Sequence, residues 1–233
     1  MKNYIFGYPN LFVYQDDNLF KMSLDSVLIS NFVTLKNKGK ILDIGTGNAP
    51  IPLILSKKTN ASIIGVEIQT KIYECALKTL ELNNVKNIEI INGDIKELYK
   101  SIQSDSFDTI ISNPPYFRVT ENLNEKETLA IARHELCLKL EDIIVISKKL
   151  LKNGGNLAIV NRPDRLVETI ELMKKHNIEP KMVKFIYPKK GKESNIMLIE
   201  GTKNGKKGIK ILERLYVYDD KNEYSKELIE YIR

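Results

Sequence analysis

The sequence predicts an α/β fold built on a mostly parallel sheet. Three observations carry this. From Lys40 onward, short apolar runs alternate with amphipathic stretches of helical period, the pattern of strand-helix-strand units. The first run, Lys40 to Ile44, enters the turn Asp43-Ile44-Gly45-Thr46-Gly47-Asn48-Ala49, where glycines permit a tight reversal and close backbone approach. A later run, Phe107 to Ile111, opens into Asn113-Pro114-Pro115-Tyr116.

The N-terminal residues read differently. Leu11-Phe12-Val13-Tyr14 and Leu19-Phe20 flank Gln15-Asp16-Asp17-Asn18, a β-hairpin pattern, because Asp and Asn tolerate turn conformations. Ser23 or Asp25 caps a helix with Val27, Leu28, Phe32 and Leu35 at near-helical spacing, ending around Lys36 to Gly39. Past the glycine turn, Pro50 suits the first turn of a helix over Ile51 to Lys58. Strands follow at Ala61 to Val66, Asn87 to Ile91 and Phe107 to Ser112, with helices at Thr70 to Leu82 and Ile95 to Ile102. A helix over Leu136 to Leu151 stops at Gly154-Gly155, and Asn156 to Val160 is the next strand. After a helix over Arg165 to Asn177, Lys181 to Tyr187 and Asn195 to Glu200 pair as an antiparallel edge hairpin, completing seven strands. Gly201 to Lys210 is a glycine- and lysine-rich loop, Leu215 to Tyr218 a short strand, and Ser225 caps a terminal helix. The polar stretch Val119 to Thr128 reads as a lid that orders on substrate binding or as a frayed helix start.

The 233 residues, 42% hydrophobic and 28% charged, suffice for one sizeable core. One domain over 1–233 is expected: a hairpin and helix extension at 1–39, a core at 40–200, and a basic loop and tail at 201–233. No apolar stretch nears the roughly 20 residues that span a bilayer, and Met1-Lys2-Asn3-Tyr4 lacks the apolar segment of a secretion signal. A cytoplasmic monomer without membrane contact is expected. Cys75 and Cys137 have no CxxC partner or clustered histidine, so buried free thiols and no metal site are expected.

Net charge is +6. Between Lys181 and Arg214, ten Lys or Arg stand against three acids, so the positive charge is localised. That suits a polyanion partner, and equally a solvated lysine-rich surface. His134 and His176 have no visible catalytic partner in the sequence.

Asn113-Pro114-Pro115-Tyr116 is a short stiff loop, since proline fixes φ and lacks an N–H. The Asn113 side-chain carbonyl and the Pro114 main-chain carbonyl are two neighbouring acceptors for a planar NH2 group, and Tyr116 can lie against the ring that bears it. The glycine turn alone suits any nucleoside, carboxylate or pyrophosphate ligand. The third glycine of the dinucleotide fingerprint is replaced by Pro50, which disfavours a nicotinamide. Three acids, Asp43, Glu67 and Asp94, end the first three sheet strands, where ligands bind in open α/β sheets. Singly, Asp43 reads also as a turn-stabilising residue, Glu67 as a solvated one and Asp94 as a helix cap.

These residues resemble the S-adenosylmethionine-dependent methyltransferases. Phe20 to Leu28, Asp43 to Gly47, Glu67, Asp94, Asn113 to Tyr116, Ala132-Arg133-His134-Glu135 and Arg162-Pro163 resemble in particular the bacterial tRNA adenine-N6 methyltransferases that modify the adenine 3′ to the anticodon of a valine tRNA. The resemblance implies a Rossmann-like class I methyltransferase fold, a mostly parallel seven-stranded sheet with an antiparallel edge hairpin and helices on both faces. It implies S-adenosylmethionine as cofactor and tRNA as partner. Asp43, Gly45 and Gly47 would approach its methionine end, Glu67 the ribose hydroxyls, and Asp94 the adenine amine, with Ile95 near the ring and Ile68 and Asn113 also binding the cofactor. Asn113, Pro114, Pro115 and Tyr116 would hold the substrate adenine. Phe117, Arg133, Arg162, Arg165, Lys189, Lys190 and Lys192 are candidate RNA contacts, and Lys203, Lys206 and Lys207 weaker ones. Ala49 stands where such turns usually have a third glycine, tolerable unless that position needs positive φ.

The nearest rival is a glutamine methyltransferase acting on a release factor, which the short segment before Lys40 disfavours. The other is a non-catalytic RNA-binding protein, which the intact acids and Asn113 disfavour.

Overall fold

The computed structural model describes residues 1–16, 22–114 and 138–232. An N-terminal hairpin, β1 (Lys2–Ile5) and β2 (Tyr8–Tyr14), precedes helix α1 (Leu24–Phe32). The sheet then builds as β3 (Lys40–Ile44), α2 (Pro50–Leu55), β4 (Ser62–Glu67), α3 (Thr70–Asn83), β5 (Ile88–Asn92), α4 (Ile95–Ser101) and β6 (Phe107–Ser112). It resumes with α5 (Leu140–Leu150), β7 (Leu151–Asn161), α6 (Leu166–Lys175), β8 (Ile178–Tyr187) and β9 (Ile196–Lys203). The chain closes with β10 (Lys210–Ile211), β11 (Leu215–Tyr216) and α7 (Lys226–Tyr231).

The main sheet has nine strands in the order β10-β8-β9-β7-β6-β3-β4-β5, with β11 also on β8. Strands β3 to β7 run parallel, and β9 is antiparallel to both β7 and β8. The Rossmann-like mixed sheet is the expected fold, and β10 and β11 extend it beyond seven strands. The chain leaves β3 toward β4 and β5, then crosses to β6 on the other side of β3. This reversal opens a crevice at the carboxyl ends of β3 and β6. Two apolar clusters pack the faces: one around Leu28, Leu53, Ile54 and Leu198, the other around Ile110, Ile143, Leu157 and Ile199.

Two local readings are corrected and one hairpin was not expected. That hairpin turns at Phe6-Gly7, with Gly7 at φ +79°; the expected turn at Gln15 to Asn18 runs into residues outside the described ones, as does its Leu19-Phe20 arm. Gly154 and Gly155 lie within β7, which starts at Leu151. There Gly154 takes φ +73° where the register against β6 shifts between Phe107 and Thr109, so the glycines make a bulge and not a stop. The antiparallel hairpin exists, but β9 is interior and β8 carries β10 and β11 on its outer side.

No described helix is long and apolar enough to cross a membrane. Cys75 is buried and free, and Cys137 lies outside the described residues.

Candidate active site

The carboxyl ends of β3, β4, β5 and β6 meet at one cleft. Gly45, Glu67, Ile68, Asp94, Ile95, Asn113 and Pro114 all line it. Its empty space, counting the open mouth, is about 660 Å³.

The floor is the glycine turn. Gly45 and Thr46 both donate backbone N–H groups to Val66 O at 3.0 Å, which ties the turn across to β4. Gly45 sits at φ +75° and Gly47 at φ +59°, and a Cβ on either would meet nothing within 4 Å among the described residues. Backbone conformation, not crowding, demands glycine here, and the open side leaves room for a ligand to touch the main chain. Gly65 has the opposite reason. A Cβ there would come within 2.8 Å of Thr46 Oγ1, so its absence lets the turn seat on the sheet. Ala49 also takes positive φ, +64°, so the condition set for tolerating its methyl is not met: the position is strained by roughly 1–2 kcal/mol.

Asp43 is wholly buried beneath the turn. Oδ2 accepts from Thr46 Oγ1 at 2.7 Å, while Oδ1 has no partner among the described residues. Burial pushes its pKa from 3.8 to about 7; the Thr46 hydrogen bond opposes the shift and the nearby Glu67 charge adds to it. A buried carboxylate oxygen without a donor is costly, and a ligand bringing an N–H or positive charge would relieve it.

Glu67 closes β4 and is buried. Oε2 accepts from Gly47 N at 3.0 Å and Oε1 from Gln69 N at 2.9 Å. A carboxylate has about four acceptor positions, so each oxygen keeps one for a vicinal diol. Asn92 was missed in the sequence: Nδ2 donates to Glu67 O at 2.8 Å while Oδ1 accepts from Thr70 Oγ1 at 3.0 Å, locking the ends of β4 and β5. Asp94 caps α4, its Oδ1 accepting from Lys96 N at 2.8 Å. It still faces the cleft, so capping and ligand binding are compatible. Ile68, 43% exposed, and buried Ile95 supply apolar walls.

The fourth side belongs to Asn113 and Pro114, directly after β6. Ser112 Oγ donates to Ile44 O at 3.0 Å, holding the strand end against β3. Asn113 Nδ2 donates to Ser26 Oγ on α1 at 3.3 Å, an anchor also missed in the sequence. Pro115, Tyr116, Phe117, Arg133, His134 and the 119–128 stretch lie outside the described residues.

The expected cofactor fits the donor set: glycine main chain open to approach, an orphan buried carboxylate oxygen, a buried acid with capacity for two hydroxyls, and apolar walls for a ring. It is a site for a cationic nucleoside.

The basic candidates divide. Because β7 and β8 run the same way as β6, Arg162 and the loop holding Lys189, Lys190 and Lys192 emerge at the cleft edge of the sheet. At about 4.8 Å per strand, that loop lies some 15 Å along the edge from β6. Lys190 and Lys192 are exposed, and Lys189 Nζ donates to Asn222 Oδ1 at 3.1 Å. Arg162 pairs with Asp164 at 3.2 Å and Arg165 with Glu168 at 2.8 Å, exposed pairs of little net worth. Lys203 is different: it is buried, with Nζ on Asp105 at 2.6 Å and Leu151 O at 2.7 Å at the opposite edge, which makes it a structural residue. Lys206 and Lys207 follow it there. His176 meets Glu141 at 3.0 Å, and neither residue lines the cleft.

A family model for a methyltransferase domain matches residues 35–220. The chain is 30% identical over 168 residues to the tRNA1(Val) (adenine(37)-N6)-methyltransferase of Pseudoalteromonas translucida, covering 72% of this chain and 71% of that protein. It is 28% identical over 236 residues to the protein of the same name from Bacteroides thetaiotaomicron, covering 100% and 97%. Among solved structures, a predicted O-methyltransferase from Agrobacterium tumefaciens superposes with a TM-score of 0.71 at 18% identity, covering 89% of this chain and 94% of that one. That likeness shows the fold. With Gly45, Glu67, Asp94 and Asn113 disposed around one cleft, the chain belongs to the methyltransferase domain family and, within it, to the family of the tRNA1(Val) (adenine(37)-N6)-methyltransferases.

Proposed function

We propose that this protein methylates the exocyclic N6 amine of an adenine in tRNA, the adenine 3′ to the anticodon of a valine tRNA, using S-adenosylmethionine. One observation carries the reading. The side chain of Asn113 and the carbonyl-bearing Pro114 border the same cleft as Gly45, Glu67 and Asp94, so an NH2 group held there faces whatever the glycine turn and acids hold. The cofactor supplies an electrophilic methyl group. Glu67 would accept from its ribose hydroxyls, Asp94 from its adenine amine, and Asp43 Oδ1 would face positive charge at its amino-acid end.

The substrate amine is conjugated with its ring and weakly nucleophilic. Asn113 Oδ1 and Pro114 O accept its two hydrogens, which turns the nitrogen lone pair toward the methyl, so orientation supplies most of the rate. Tyr116 stacks on the flipped base, a contact worth about 1–3 kcal/mol. A loop base is already partly unstacked, so flipping costs less than in a duplex. The names of the relatives support tRNA as the substrate. Arg162 and the lysine loop lie on the edge that an RNA entering the cleft would cross.

The test is incubation with labelled S-adenosylmethionine and unmodified bulk tRNA, followed by digestion to nucleosides. Label in N6-methyladenosine is expected. Label appearing only when a release factor is added would replace this reading with protein glutamine methylation.

A further inference from the structure

A carboxamide has one accepting and one donating end. If Asn113 is to accept from a substrate amine, its Oδ1 must face the cleft; turned over, it would set N–H against N–H. Something must choose the face. Asn113 Nδ2 donates to Ser26 Oγ at 3.3 Å. With its nitrogen committed there, Oδ1 is the end left for the substrate.

Ser26 is well placed to impose this. It lies in the first turn of α1 and is 5% exposed. Its neighbours Val27, Leu28 and Ile29 are fully buried in the core. Ser30 Oγ donates back to Ser26 O at 2.6 Å within the helix, and Tyr231 OH donates to Leu28 O at 3.3 Å, so α1 is tied to the C-terminal helix next to that turn. On the other side, the main chain at Asn113 is fixed by the Ser112 bond to β3 and by the restricted backbone around Pro114. A rigid helix and a stiff loop thus face each other across one hydrogen bond, the arrangement that holds a catalytic side chain in a productive rotamer.

Resting on the proposed amine transfer, we infer that Ser26 is a positioning residue for the reaction: its hydroxyl accepts from Asn113 Nδ2 and thereby fixes Oδ1 as the substrate acceptor. The N-terminal extension is then part of the active site and not an appendage to the core.

Single-turnover methyl transfer to tRNA at saturating cofactor tests this with Ser26→Ala and Ser26→Thr. Ser26→Ala lowers kcat by about tenfold, the effect of one lost orienting hydrogen bond. Cofactor Kd and the KM for tRNA stay within about twofold. Ser26→Thr, which keeps a hydroxyl, retains most of the rate. In an Asn113→Ala background, Ser26→Ala produces no further loss, because the coupling has gone. Equal rates for wild type and Ser26→Ala overturn the inference, as does an equal loss in both backgrounds, which marks a merely structural residue. A faster Ser26→Ala overturns it too, since the hydroxyl would then be competing for Oδ1. A readout without substrate separates this inference from the proposed activity: the Asn113 side-chain NH2 signals in NMR spectra shift and exchange faster in Ser26→Ala. Unchanged signals overturn the inference even if the wild type proves to act on another amine.

Discussion

The backbone amide of Gly47 donates to Glu67 Oε2 at 3.0 Å, bridging the glycine turn and the end of the neighbouring strand. The two halves of the cofactor cleft are therefore one hydrogen-bonded unit before any ligand arrives. Glu67→Ala removes the acceptor of both Gly47 N and Gln69 N and the candidate ribose acceptor together. The expected outcome is a loss of at least about 100-fold in affinity for S-adenosylhomocysteine by calorimetry, with about 1–3 kcal/mol lost from stability. Retained affinity would show that Glu67 serves only to close the turn.

Asp43 sets a pH dependence. Its carboxyl has a pKa of about 7 in the folded protein against 3.8 ordinarily, so the fold holds a proton that the unfolded chain releases across that window. Its contribution to stability is fully present below about 3.8 and is lost as pH rises through about 7. The ammonium group at the amino-acid end of S-adenosylhomocysteine favours the ionised form instead, so this ligand should bind about tenfold more weakly at pH 6 than at pH 8. Asp43→Asn should flatten this profile and weaken binding throughout. A flat wild-type profile would unlink Asp43 from the ligand.

Ala49 carries avoidable strain at φ +64°. Ala49→Gly relieves roughly 1–2 kcal/mol of left-handed strain and costs roughly 0.5–1 kcal/mol in backbone entropy. A net gain of about 0.5–1 kcal/mol in denaturant unfolding is expected, and Ala49→Val should lose about 2 kcal/mol or more. Equal stability of all three would mean that the turn relaxes around the side chain.

The lysine loop provides an electrostatic test. Replacing Lys189, Lys190 and Lys192 by alanine should raise the KM for tRNA and leave cofactor affinity unchanged. If all three contact phosphates of a single-stranded loop, the slope of log affinity against log salt becomes shallower by about 2. An unchanged slope would place the RNA elsewhere.

Much of this site was legible because its residues stand at the ends of apolar strands, where the sheet's geometry gathers them whatever the loops do. Asp43, Glu67, Asp94 and Asn113 needed only that strand pattern. Asp94 was legible twice over, since one carboxylate both caps α4 and faces the cleft. Ser26 was not singled out: a serine in a buried helix turn leaves no periodic signal, and its partner lies 87 residues away. Lys203 looked solvated because β9 reads as ending at Glu200, whereas three further residues carry it to Asp105 under the opposite edge. The turn at Phe6-Gly7 was not foreseen because a lone Gly7 is a weaker turn signal than the Asp-Asn cluster at 16–18. Strand order, with β9 set between β7 and β8, is tertiary information that no local pattern holds.

The central claim is that Asn113 accepts the substrate amine and does not bind the cofactor. Its most direct measurement compares wild type and Asn113→Ala for N6-methyladenosine formed in tRNA, alongside the calorimetric affinity for S-adenosylhomocysteine. A loss of methyl transfer by at least about 100-fold with affinity held within about twofold is the expected result. Loss of both together, or N6-methyladenosine formed at the wild-type rate, would contradict it.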